Sequence, residues 1–278
     1  MTHTLKPESR EELLTIINED ILRNGHNVNL NYIDTSYITN MEGLFIDSAF
    51  NGDISQWNTV NVTNMDRIFS GCTFNQDISQ WNVSNVKTMV GTFYGSQFNK
   101  DISKWDTSSL QDASYMFEDS KFNKDISQWN VSNLLSAESM FQGSVFNGNI
   151  SRWDVSNVED MNFMFSESHF NQDISKWDVS QVREMFAMFL QSEFNQDISQ
   201  WNVSNVKNMS TMFLDSKFQG DVSLWTPQKD TPIFWSAHRA QNEEKVQSFF
   251  QYQSECIRKK LISKNGGHKP DNSLLTAL

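Results

Sequence analysis

Phe50, Phe74, Phe98, Phe122, Phe146, Phe170, Phe194 and Phe218 stand 24 residues apart without an insertion, and Trp57, Trp81, Trp105, Trp129, Trp153, Trp177, Trp201 and Trp225 keep the same interval. A unit this short cannot bury an apolar side alone; it does so only by stacking on copies of itself. The interval therefore makes the middle of the chain one stacked body. It also accounts for an aromatic content of 13%, which reads as core and not as a cofactor site.

Counting each coil from its Phe, apolar residues recur at positions 1, 5, 8, 10, 13, 16, 19 and 20, as in Phe74, Ile78, Trp81, Val83, Val86, Met89 and Phe93, with Thr92 a polar exception at 19. Positions 8 and 10 alternate with polar neighbours, which is strand spacing; 13, 16 and 20 are three and four apart, which is helix spacing. The pattern predicts a short strand followed by a short helix in every coil. Asn61, Asn85, Asn133, Asn157 and Asn205 at position 12, with Ser109 once and Gln181 as the weakest, then read as helix N-caps. Ala113 and Ala137, where other coils carry Met, are accompanied by Leu110 and Leu134 where most carry Val, an exchange of volume expected of inward positions. Residues 26–49 are a worn first coil, with Leu30, Ile33, Ile38, Met41 and Phe45 in register.

Ile at 5, Trp at 8, Val at 10 and Val at 13 match the spacing of a leucine-rich-repeat strand. The whole unit, FNQDISxWxVSNVxxMxxMF, resembles the BspA-like bacterial surface-protein repeat, a leucine-rich-repeat relative without assigned biochemistry, over about residues 26–225. The resemblance implies an α/β solenoid, a leucine-rich-repeat-like stack of 24-residue strand-plus-helix coils, with protein binding as its use.

Around this stack the expected parts are an N-terminal capping helix in residues 1–25, a C-terminal cap and helix in 226–264, and a mobile tail in 265–278. The first opens with Pro7 and a capping box of Ser9 and Glu12 and places Leu13, Leu14, Ile16, Ile17, Ile21 and Leu22 at helical spacing before Gly25. Residues 26–225 carry 11 Lys and Arg against 24 Asp and Glu, or −13, which argues against direct nucleic-acid binding. Cys72 and Cys256 have no metal spacing, and no membrane span or secretory signal is readable. The chain is expected to be cytoplasmic, or exported without a readable N-terminal signal.

His3, His26, His169, His238 and His268 accompany no recurring nucleophile, and no hydrolase, metalloprotease, Walker or dinucleotide motif occurs, so no enzyme activity, catalytic residue, cofactor or metal is expected. The column Asp53, Asp77, Asp101, Asp125, Asp173, Asp197 and Asp221 at position 4, with Asn149 as exception, reads as turn side chains bonding backbone N–H groups, and calcium is the competing reading. The Asn column from Asn27 to Asn195 reads likewise. Lys104, Arg152 and Lys176 at position 7 coincide with Asp106, Asp154 and Asp178 at position 9, which predicts matched charges across a sheet.

These readings favour a non-enzymatic protein–protein interaction scaffold. An acidic mimic of nucleic acid, and an exported adhesin or effector, are the alternatives. The expected partner surface is the helical side of the later coils, where positions 17, 18 and 21 become Phe163, Phe186, Leu190 and Leu214 in place of polar or small residues. Such an exposed apolar patch would be covered by the helix of residues 238–264 folding back, or would take a second copy of the chain or a protein partner.

Overall fold

The computed structural model describes residues 5–228 and residue 231. The chain divides into two compact units, Met1–Trp235 and Ser236–Leu278. Only the first contains described residues, so the expected C-terminal helix and tail, apart from residues 226–228 and 231, lie outside them.

Helix α1 spans Arg10–Asn24. Ser9 is its N-cap and accepts from Glu12 N at 3.2 Å, while the Glu12 carboxylate reaches back to Glu8 N, one residue before the cap, at 2.9 Å. Gly25, at φ 84°, ends the helix and returns its N–H to Ile21 O at 2.8 Å. Leu13 and Ile17 are fully buried and join one core with Leu30 and Ile33 of the worn coil, whereas Leu22 is 89% exposed. Arg10 Nε also donates to Glu42 O, tying the helix to that coil.

The strand-plus-helix coil is not what forms. Among the described residues α1 is the α-helix, and the pairings between coils are isolated parallel bridges with no sheet. Each coil is a run of tight turns. Trp81 N bonds Ile78 O and Val86 N bonds Val83 O, so the stretch read as a strand turns twice. The stretch read as a helix divides its donors by parity. Thr92, Tyr94 and Ser96 N–H close four-residue turns on Met89, Gly91 and Phe93, while Met89, Gly91, Phe93 and Gly95 N–H bond Asp112, Ser114, Met116 and Glu118 of the next coil. A helix would spend all of these N–H groups internally. Left-handed backbone recurs four residues apart, at Gly91 and Gly95, Tyr115 and Asp119, Phe163 and Glu167, which no right-handed helix admits and which places a left-handed third residue as in type II turns.

Side chains add further ties between coils. Every ladder tryptophan is buried and donates its indole N–H to the position-5 carbonyl of the preceding coil, as Trp129 does to Ile102 O at 3.0 Å. The rings stack along the column at 6.2 to 6.4 Å, for example Trp105 on Trp129 at 6.3 Å and Trp129 on Trp153 at 6.4 Å. Phe columns at positions 1 and 20 run beside them, with Phe117 against Phe122 at 4.3 Å within the core. The position-2 asparagines accept from the backbone of the coil above, as Asn99 Oδ1 does from Asn123 N at 3.0 Å. The position-12 asparagines are not N-caps, since no helix follows. Asn133 Nδ2 donates back to Ser108 O and Asn157 Nδ2 to Ser132 O, both at 2.7 Å.

Candidate functional site

Most of the coil surface is committed to these internal bonds. Each position-4 side chain closes a turn, as in Asp101 accepting from Ser103 N at 2.9 Å and Asn149 from Ser151 N at 3.0 Å. That acceptance holds the Asp101, Asp173, Asp197 and Asp221 carboxyls below their ordinary values. The matched charges expected between positions 7 and 9 are not formed. Asp106, Asp154 and Asp178 instead accept from Ser108, Ser156 and Ser180 N, because a turn and not a strand occupies that stretch.

Position 23 is a column the sequence reading passed over. Ser120 Oγ donates to Phe117 O at 2.9 Å and accepts from Phe122 N at 3.4 Å, and Cys72 takes the same place, its Sγ accepting from Phe74 N. Burial pushes the Cys72 thiol up to about 11, so it is a packed group and not a reactive one.

The side of the tandem turns, positions 15, 17, 18, 21 and 22, also carries internal bonds, as Asn64 Oδ1 accepting from Asp66 N and Asp66 Oδ1 from Val90 N, but there residue type changes from coil to coil. It runs from Glu42 paired to Arg67 at 2.6 Å, through Tyr94, Tyr115, Glu118 and Glu138, to the apolar group at Phe163 and Phe186. The expected exposed patch is not exposed as a whole. Phe163 and Leu190 are each only 2% exposed, and Phe186 and Leu214 are half-buried. Phe163 and Phe186 meet edge to face at 5.2 Å. In turns that lie one above another, side chains of adjacent coils cover each other, whereas on a helix positions 17, 18 and 21 would stand out of phase with the core.

The middle of this side is acidic and aromatic. Glu118 is 8% exposed, and its Oε2 is buried without a hydrogen-bond partner. Burial, then the charges of Asp119, Glu138 and Glu167, push its carboxyl well above the ordinary range. Burial also raises Glu167, with Asp119 adding to the effect. Tyr94 is raised to about 12 by burial and by Glu118, Asp119 and Asp47. Tyr115 is raised by burial, by the charge of Glu138 and by a hydrogen bond to it. The sequence signal for this cluster is that Tyr94, Tyr115 and Glu118 interrupt positions held by Ser70, Gly91 and Ser139 elsewhere. Among the described residues, no three His, Cys, Asp or Glu side chains converge to hold a metal ion, and no helix is long and apolar enough to cross a membrane.

Stacked coils tied together by turns and aromatic columns define a tandem-repeat protein with one variable side. The chain belongs to the family described as Mycoplasma protein of unknown function, DUF285, whose model matches residues 19–121, 91–169 and 142–249 in overlapping segments. No curated protein and no solved structure matches it.

Proposed function

We propose that the chain is a non-enzymatic protein-binding scaffold that uses the variable side of its turns, positions 15, 17, 18, 21 and 22. The observation carrying this reading is the division of labour within the coil. Trp at 8 and Asn at 2 and 12 recur because each is spent on the next or the preceding coil, as Trp153 on Ile126 O, Asn171 N on Asn147 Oδ1 and Asn157 on Ser132 O. The positions of the turn side also make contacts between coils, as Asp66 Oδ1 with Val90 N and Arg67 with Glu42, yet they differ by large steps in charge and size, from Arg67 and Asp66 to Tyr115 and Phe163. Differences presented at a fixed spacing are how a repeat protein specifies a partner. The likeness of the unit to BspA-like repeats supports a surface for macromolecules, though it carries no strand-plus-helix geometry here.

A photo-crosslinking residue at Gln142, on the variable side, should capture one protein from the native host at both low and high salt. The same residue at Gln128, on the constant turn, should capture none. Equal capture from both positions, or capture only at low salt, would remove the proposal and favour non-specific attraction to the acidic body.

A further inference from the structure

The turn ladder gathers Tyr94, Tyr115, Glu118, Asp119, Glu138 and Glu167 on the same side of four consecutive coils. Backbone bonds set their adjacency: Gly95 N donates to Glu118 O and Tyr115 N to Glu138 O, each at 2.8 Å. Glu118 lies at the centre, and its buried Oε2 accepts from no group. A carboxylate oxygen taken out of water without a donor is costly, and like charges around it add to the cost. The charges acting on Glu118 are those of Asp119, Glu138 and Glu167, and Lys121 acts on Asp119. The residues around it reach solvent: Tyr94 is 40% exposed and Asp119 and Glu167 are exposed.

The missing component is a donor with positive charge. Its form follows from the surroundings. Metal ligation is disfavoured because, although the acids share this side, no three His, Cys, Asp or Glu among the described residues converge closely enough to hold a metal ion. Aromatic rings beside carboxylates suit a flat, delocalised cation that can stack on a ring face and donate several N–H groups at once, which describes a guanidinium better than an ammonium. We propose that this cluster is a receptor for an arginine side chain of a protein partner, with the guanidinium donating to Glu118 Oε2 and packing on Tyr94. The proposal deepens the scaffold reading and rests on it for the claim that the arginine belongs to a protein. The raised Glu118 carboxyl adds a signature. Arginine binding would favour its ionised form, so binding should expel a proton in the presence of Asp119, Glu138, Glu167, Tyr94 and Tyr115 facing the same space.

The test titrates the full chain with a fluorescein-labelled Gly-Arg-Gly peptide and with its neutral citrulline analogue. The arginine peptide should saturate and the citrulline one should not. Glu118→Gln and Glu138→Gln should each weaken arginine binding about tenfold or more, and Tyr94→Leu several-fold. Asp125→Asn, which removes the same charge from a constant turn, should leave it unchanged. Calorimetry in two buffers of different ionisation enthalpy should show proton release with wild type and little with Glu118→Gln. Urea midpoints show whether each variant is folded. No saturable arginine binding, an Asp125→Asn loss equal to that of Glu118→Gln, or displacement of the peptide by micromolar calcium chloride would overturn the site. Should crosslinking from Gln142 persist when arginine binding is lost, the site alone falls. Should crosslinking fail while the arginine titration holds, the scaffold reading falls and the cation site stands.

Discussion

Replacing Trp129 by Ala examines the physical basis of the stack at its middle. The ring is 3% exposed, lies between Trp105 and Trp153 at 6.3 and 6.4 Å, and leans on Phe117 at 6.1 Å. Truncating a buried tryptophan costs about 3–5 kcal/mol. Here the loss falls at the upper end, because Ile102 O also loses the indole donor held at 3.0 Å, and an abandoned buried acceptor costs about 1–3 kcal/mol. Trp129→Phe separates the two contributions, keeping most ring contact and losing the donor, so about 1–3 kcal/mol is expected from it. Gln128→Ala next door should stay within about 0.5 kcal/mol, since the Gln128 amide reaches only the exposed Ser127 hydroxyl. Urea unfolding followed by the emission of the other ladder tryptophans measures all three. With a slope of about 3 kcal/mol per M, the alanine variant should lose about 1.5 M in midpoint. Comparable shifts for Trp129→Ala and Gln128→Ala would show that the tryptophan column does not hold the coils together.

Four further outcomes follow from the same geometry. Gln191 is exposed at φ 52°, so Gln191→Gly should raise the urea midpoint by the equivalent of up to about 1 kcal/mol, and Gln191→Val should lower it by at least as much. Stability should pass through a maximum on the acid side of neutrality. The carboxyls of Glu118, Asp119 and Glu167 are raised in the folded chain, so their penalty is relieved as pH falls through their folded values toward the unfolded range near about 4. The turn carboxyls of Asp101 and Asp173 are lowered; their contribution is complete above the unfolded range and is lost as pH falls through their folded values. Melting temperatures from pH 7.5 to 3 check this, and a Glu118→Gln chain that keeps the whole neutral-to-acid rise would contradict the assignment. Deleting residues 1–25 should expose Leu30 and Ile33, seen as aggregation in light scattering or a much lower melting temperature. Asn123→Ala should cost about 0.5–1.5 kcal/mol by removing the acceptor of Asn147 N, and an unchanged urea midpoint would show that water replaces it.

The 24-residue interval, the inward columns of Phe, Trp, Ile and Val, and the helix led by Ser9 and Glu12 are all legible in the chain. They depend on where apolar area lies and on local capping, which any unit obeys before it meets its neighbours. The Asp and Asn columns could likewise be assigned to turns from their chemistry. How the backbone N–H groups are shared could not be read, because Met89, Phe93 and Val86 keep helical spacing whether alternate donors stay inside the coil or pass to the next one. Only contact between coils settles that choice in favour of passing them on, with Tyr115 and Asp119 turned left-handed so that Tyr115 N and Asp119 N face Glu138 O and Gln142 O. The same contact buries Phe163 and Leu190 where a helix would have shown them to solvent, and it brings Glu138 and Glu167 of the next two coils to Glu118. Apolar periodicity records which side of each residue faces in; it holds no information on which coil receives a given hydrogen bond, since that is set by the stacking of one unit on another.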